Sequence, residues 1–208
     1  MKKDGKYSLV IVDMQYDFYD PNGSMYVPSA KGLLEDMIAY IDSHHADITE
    51  VIFTLDWHKP NHCSFKENGG EWPVHCVMFT KGASIPSELI DTCKKYNLPI
   101  KIVTKGEEKE EYGAFKYMSL ASINMCISNG IQLADDVYTD NDYFAVCGLC
   151  GDYCVHATIE NLRKFKDIDL LTVEPITLEV AAIPHLIASI DGGKFFYNYA
   201  DTTNLKLI

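Results

Sequence analysis

Two stretches of this chain concentrate residues that do chemistry. In TLDWHKPNHCSF, Asp56 and His58 stand two apart, His62 follows four later, and His75 comes thirteen after that in WPVHC. One carboxylate and three imidazoles, the first pair able to point the same way from a strand end, suit a borderline divalent metal such as Zn, Fe(II) or Mn(II). The second stretch, VCGLCGDYCVHAT, sets Cys147, Cys150 and Cys154 within eight positions. They could be metal ligands, a redox pair, buried filler, or one nucleophile with two bystanders. A three-cysteine metal site lacks a fourth ligand at regular spacing. A redox pair needs Cys147 to leave an apolar run where a free cysteine behaves as a small hydrophobe. Cys154 falls in the first turn of a predicted helix, where unsatisfied N–H groups and the dipole favour a thiolate. Lowering a thiol from pKa ~8.5 by two units takes about 2.7 kcal/mol, which a lysine and a helix end together would supply.

The elements that must position these residues alternate. YSLVIVD (Tyr7–Asp13), VIFTLD (Val51–Asp56), IKIVTKG (Ile100–Gly106) and DYFAVCGL (Asp142–Leu149) read as buried strands. Helical spacing occupies Lys31–His44, Ser87–Tyr96, Leu120–Ser128 and Asp152–Lys164. Beyond them the pattern predicts a fifth strand at DIDLLTVEP, a short helix at Pro184–Ile190 and a last strand at Phe195–Tyr199. Strand–helix alternation implies a three-layer α/β fold, a mostly parallel sheet with helices on both faces. Ligands in such sheets bind at the carboxyl ends of the strands. Asp13, Asp56, Lys105 and the Cys150–Cys154 turn all fall at such ends. The long loop from Trp57 to Ser84 reads as functional. His44, His45, His156 and His185 read as helix-end, packing or surface residues.

The chain has 208 residues and is expected to form a single domain over residues 1–208. Apolar residues make up 47% and charged ones 23%, as in an ordinary soluble protein. A net charge of -12 argues against nucleic acid or an anionic membrane as partner. The apolar run Leu9–Val12 is too short for a signal peptide or a membrane span. Seven irregularly spaced cysteines fit a reducing cytoplasm better than a disulfide framework.

VIVDMQYDF, TLDWHKPNHCSF, WPVHC, TKG…YGAF and VCGLCGDYCVHAT, in that order, resemble the motif set of nicotinamidases, in the isochorismatase-like cysteine hydrolase superfamily. The motifs run from Leu9 to Thr158. The resemblance implies an isochorismatase-like, Rossmann-type fold and hydrolysis of nicotinamide, and of pyrazinamide, through a thioester. It makes Cys154 the nucleophile, Asp13 the base and Lys105 the supporting cation. Asp56, His58, His62 and His75 become ligands of one divalent metal, zinc first, with iron or manganese as alternatives. Phe18, Trp72 and Tyr112 correspond to the aromatic walls around the pyridine ring, and the N–H groups of Cys150 and Cys154 to the oxyanion hole. The implied partner is a small molecule, with a homo-oligomer left open. Tyr16, Met78–Phe79, Gly113–Ala114 and Gly151 depart from the usual Asn, Gln–Gly, Ser–Gly and Thr or Ser, changes expected to bear on the pocket mouth. The rival readings are an amidase for a ureido or carbamoyl compound, a vinyl-ether hydrolase of the isochorismatase kind, and a non-enzymatic metal-binding domain.

Overall fold

Runs of β-branched and aliphatic residues build the sheet, and helices cover it on each side. The computed structural model describes residues 5–107, 111–115, 143–164, 167–168, 175–176 and 178–208. In chain order these hold β1 (Tyr7–Val12), a one-turn α1 (Tyr16–Tyr19), α2 (Leu33–His44), β2 (Ile48–Asp56), α3 (Ser87–Lys95), β3 (Ile100–Lys105) and β4 (Tyr143–Leu149). There follow α4 (His156–Lys164), β5 (Asp167–Ile168), β6 (Pro175–Ile176), β7 (Glu179–Ala188), α5 (Lys194–Thr203) and β8 (Lys206–Leu207). The six-stranded sheet has the order β3-β2-β1-β4-β7-β8, and every pairing in it is parallel.

Period-two alternation divides the core. Leu9 and Ile11 of β1 face Met37 and Ile41 of α2 and Leu89 of α3. Val10 and Val12 face Val155, Ile159 and Leu162 around α4, and Phe196 and Ala200 of α5. Order reverses between β1 and β4, so the crevice at their carboxyl ends is the expected ligand position. Asp13 leaves one of these strands and Cys150 the other.

The end of the chain departs from the expectation. Pro184 and its neighbours are in strand β7, and Phe195–Tyr199 are in helix α5. Pro184 is tolerated because the β4–β7 ladder is irregular there, running from Val146↔Ala182 to Gly148↔Ile187. The aromatics of α5 read as strand by propensity, but Phe196, Tyr199 and Ala200 form one buried stripe. Asp191 starts that helix by accepting the N–H groups of Gly193 and Phe195 at 2.8 and 2.7 Å. The predicted helix Leu120–Ser128 lies outside the described residues. Of the predicted strand at Asp167–Pro175 only the ends are described. They belong to a separate antiparallel pair, β5–β6, and β7 takes the place beside β4.

Candidate active site

Asp13 follows β1 directly and sits in the left-handed region at φ 47°, a conformation aspartate tolerates better than most residues. Its N–H donates to Thr54 O at 3.0 Å, and Thr54 Oγ1 donates to its Oδ1 at 2.8 Å. Oδ2 lies 2.7 Å from Lys105 Nζ without accepting an aligned hydrogen bond. Lys105 ends β3 and reaches across the end of β2. Its ammonium also pairs with Asp56 Oδ1 and lies 3.5 Å from Cys154 Sγ. The strand ends thus bring Asp13, Asp56, Lys105 and Cys154 into one buried group.

Electrostatics sorts these groups. Burial raises the Asp13 carboxyl to about 6, against the pull of Lys105 and the Thr54 hydrogen bond. Burial opposes the Lys105 charge too, but Asp13 and Asp56 outweigh it and hold the ammonium well above the ordinary lysine value. Burial would raise Asp56, yet Lys105, His58 and His75 hold it well below the usual carboxylate range. Burial pushes the Cys154 thiol well up; Lys105 acts against this, and both carboxylates add to it. The thiolate expected from a helix end is therefore not the resting form. Cys154 is only 7% exposed. It lies in a π-helical turn, Gly151–Val155, ahead of α4. A protonated thiol beside a carboxylate near 6 needs a base at the moment of attack, and Asp13 is in position to be one.

The second group adjoins the first through Asp56. Ligating atoms of Asp56, His58 and His75 all lie within 4.8 Å of one another, and all three residues are buried. Asp56 Oδ2 is 3.4 Å from His58 Nε2 and 3.8 Å from His75 Nε2. His58 Nδ1 meets Gly106 O at 2.6 Å and His75 Nδ1 meets Pro73 O at 2.7 Å. A carbonyl only accepts, so each Nδ1 carries a proton, and Nε2 is the ring atom each histidine turns toward Asp56. His58 Nε2 is buried with no hydrogen-bond partner. A carboxylate and two imidazoles aimed at one point, one of them otherwise unsatisfied, fit a divalent metal. Gly106 makes this possible: at φ +67° it turns its carbonyl to His58, and a Cβ there would stand 2.7 Å from the His58 ring. His62 stands beside the group rather than in it. Its ring stacks on His58 at 4.3 Å, and its Nδ1 lies 2.7 Å from Ser64 Oγ.

Both groups open on a cleft of roughly 500 Å³, counting its mouth. Phe18, Trp72 and Tyr112 all line it, as do Cys150 and Cys154. Trp72 Nε1 donates to Tyr112 Oη at 3.2 Å. Tyr153 completes the wall, 5.5 Å from both the Trp72 and the Tyr112 ring. The sequence reading missed Tyr153, Ser64 and Glu111, which also line the cleft. Position next to Cys154 was a usable signal for Tyr153; Ser64 and Glu111 had none. It also missed Gln15 and Thr54, whose side chains hold Asp56 and Asp13.

Other expectations resolve simply. The Leu149–Cys150 peptide is cis, and no proline announces it. Cys147 is fully buried within β4. His44 stacks on Tyr40, His45 on Tyr96, and His156 packs edge-on against Phe195 and Tyr199. The departures from the family pattern avoid the cleft lining. Tyr16 lies beneath Lys81 Nζ at 3.7 Å, and Phe79 is 87% exposed. A Cβ on Gly113 would stand 2.7 Å from Ala157 O, and one on Gly151 2.3 Å from Ser189 Oγ.

No family model matches the chain. It is 29% identical over 177 residues to a nicotinamidase of Saccharomyces cerevisiae, covering 73% of this chain and 78% of that one. It is 28% identical over 174 residues to a nicotinamidase of Escherichia coli, covering 73% and 74%. Among solved structures it resembles a pyrazinamidase of Pyrococcus horikoshii in complex with zinc. That likeness has a TM-score of 0.71 and 27% identity, over 98% of both chains.

Proposed function

We propose that this chain, which is similar in sequence to nicotinamidases and in fold to a pyrazinamidase, hydrolyses nicotinamide to nicotinate and ammonia. One observation carries the reading. A single cleft is lined by the Cys154 thiol, the Asp13 carboxyl raised to about 6 and a metal-binding group, and the buried Lys105 ammonium touches both the carboxyl and the thiol.

The chemistry follows from the contacts. Asp13 takes the Cys154 proton through its Oδ2 as sulfur attacks the carboxamide carbon. Lys105, charged throughout, stabilises the thiolate as it forms and keeps Asp13 and Asp56 from repelling one another. The backbone N–H groups of Cys150 and Cys154, which the resemblance assigns to the oxyanion hole and which belong to residues lining the cleft, would receive the developing oxyanion. Asp13 returns its proton to the leaving nitrogen, so ammonia departs and a thioester remains. Asp13, ionised again, draws a proton from water, which hydrolyses the thioester to nicotinate and regenerates the thiol. Phe18, Trp72, Tyr112 and Tyr153 hold the ring flat and exclude bulk water. Asp56, His58 and His75 would hold the metal, zinc in this reading, with His62 beside them. When bound, the metal supplies a Lewis-acid position for a ring nitrogen and thereby orients the amide.

Among the described residues all six cysteines are free. No described helix is long and apolar enough to cross a membrane. The free cysteines fit a reducing, cytoplasmic setting.

The deciding experiment measures ammonia and acid product from nicotinamide, pyrazinamide and a small panel of ureido and carbamoyl compounds. Equal yields of nicotinate and ammonia are expected. Release from the ureido or carbamoyl compounds alone would make another amidase of this fold the correct reading.

A further inference from the structure

The side chains that aim Asp56 and His75 come from one short stretch, Gln15 to Asp17. Gln15 is wholly buried and uses both ends of its carboxamide. Oε1 accepts the Asp56 N–H at 2.8 Å, while Nε2 donates to Asp56 O at 2.8 Å and to Ala83 O at 3.1 Å. Two residues on, Asp17 Oδ2 accepts the N–H of Cys76, the residue after His75, at 2.8 Å. Its Oδ1 accepts the Ser24 N–H at 3.2 Å. Gly82 leaves room for this carboxylate, since a Cβ there would stand 2.0 Å from Oδ2.

The sheet explains why such a strap is needed. The β1–β2 ladder ends at Val12↔Thr54, and β1 then turns away through Asp13. Beyond that point β2 still pairs with β3, out to Asp56↔Lys105, but has no strand on its β1 side. The Gln15 amide stands in for the missing strand, satisfying the Asp56 N–H and C=O together. Only a carboxamide both accepts and donates at that spacing; a carboxylate lacks the donor and an ammonium lacks the acceptor. Asp17 does the corresponding work for the loop that carries His75, where His75 Nδ1 is already tied to Pro73 O at 2.7 Å.

We infer that Gln15 and Asp17 are positioning residues of the metal group, Gln15 fixing the direction of Asp56 and Asp17 that of His75. The inference rests on the metal reading proposed above. It explains a pattern that the ligands alone leave open: Asp56 must hold one oxygen toward Lys105 and the other toward two histidines. Free rotation of its backbone would lose one set or the other.

The test is metal affinity, measured on the full chain by competition with a chromophoric zinc chelator. Four variants are compared with the parent: Gln15→Met, Asp17→Ala, Asp17→Asn, and Ile41→Val as a remote control in the core of α2. Outer contacts of this kind typically change metal affinity ~10–100-fold. Gln15→Met and Asp17→Ala should each weaken zinc by about that factor. Asp17→Asn keeps an acceptor for the Cys76 N–H and should stay within about threefold of the parent. Ile41→Val should bind as the parent does. Should Gln15→Met fail to fold, the Asp17 pair decides alone. Parent-like affinity in both Gln15→Met and Asp17→Ala overturns the inference, and so does Asp17→Asn binding as weakly as Asp17→Ala. A parent that binds no zinc overturns the metal reading itself, and the inference with it.

Discussion

Replacing Thr54 by Val should move the acid limb of the pH–rate profile while leaving the fold intact. Thr54 is wholly buried in β2, and valine has nearly its shape. The main-chain bond from Asp13 N to Thr54 O, 3.0 Å, survives the change; the 2.8 Å bond from Thr54 Oγ1 to Asp13 Oδ1 does not. A hydrogen bond to a charged acceptor contributes ~1.5–3 kcal/mol, and one pH unit corresponds to about 1.36 kcal/mol. Losing it therefore raises Asp13 from about 6 by roughly one to two pH units. Asp13 must be ionised to act as the base. Parent activity should then be lost as pH falls through about 6, and variant activity as pH falls through roughly 7 to 8. At pH 7 the deficit in kcat/KM is about two- to tenfold, and at pH 9 it nearly vanishes. Ammonia release measured from pH 5 to pH 9.5 reads this directly, and Thr54→Ser should keep the parent limb. An acid limb that stays put, or a loss equal at every pH, would refute the assignment of Asp13 as base.

The same carboxyl sets a stability trend. Its folded value, about 6, lies above the ordinary 3.8, so the folded state holds the proton more tightly. The stability from that proton is complete below 3.8 and is lost as pH rises through about 6. At about 1.36 kcal/mol per pH unit the loss is roughly 3 kcal/mol. Asp56 works in the opposite sense, because it is held low: its contribution is present above 3.8 and disappears only as acid reaches its depressed value.

Cys154→Ala should abolish ammonia release at unchanged melting temperature. Cys147→Ala, at a fully buried strand position, should retain activity but lose ~1–3 kcal/mol in urea unfolding; the reverse pattern would exchange their roles. Lys105→Met leaves two buried carboxylates without their cation. It should lower stability by ~3–5 kcal/mol at neutral pH and turnover by at least ~100-fold, with part of the stability recovered in acid as Asp13 takes up a proton. Chelation should remove activity on nicotinamide yet leave the Cys154 thiol titratable, because Lys105 and Asp13 belong to the chain. Pyrazinamide should behave like nicotinamide, whereas benzamide should be poor even in the metal-loaded enzyme, and benzamide turning over as fast as nicotinamide would mean that the ring nitrogen is not read.

What could be read from the sequence divides along physical lines. Asp13, Asp56 and Lys105 were visible because each ends a β-branched run, and a parallel sheet brings such ends to one edge. Asp56, His58 and His75 were visible because their chemistry is rare at that spacing. His62 has the same chemistry, but its ring stacks on His58 instead of joining the group of three, a distinction that spacing does not carry. Thr54 and Gln15 were invisible for another reason: a buried Thr in a strand and a Gln after one are ordinary until their partners are known. The exchange of strand and helix around Pro184 and Phe195 came from local signals that tertiary context overrode, with a ladder irregularity sheltering the proline and a one-sided core recruiting the aromatics. The Cys154 thiol was misjudged because a helix end was weighed without burial, which only the folded chain reveals and which dominates here.

Asp56 joins the two groups of the site. One of its oxygens pairs with Lys105, and the other faces His58 and His75. The proposed metal group and the Asp13–Lys105–Cys154 group therefore share a carboxylate, so neither can be repositioned alone. A shared carboxylate has to be rigid, because a small displacement at the reacting atoms can reduce the rate ~100-fold. Contacts to both oxygens fix the χ angles only relative to the backbone, so the rigidity has to extend to the backbone as well. It comes from below, from a backbone locked by β3 on one side and by the Gln15 amide on the other. On this argument the stretch DMQYD carries both the base and the strap that aligns the metal group to it, which is a physical reason for the two functions to lie within five consecutive residues.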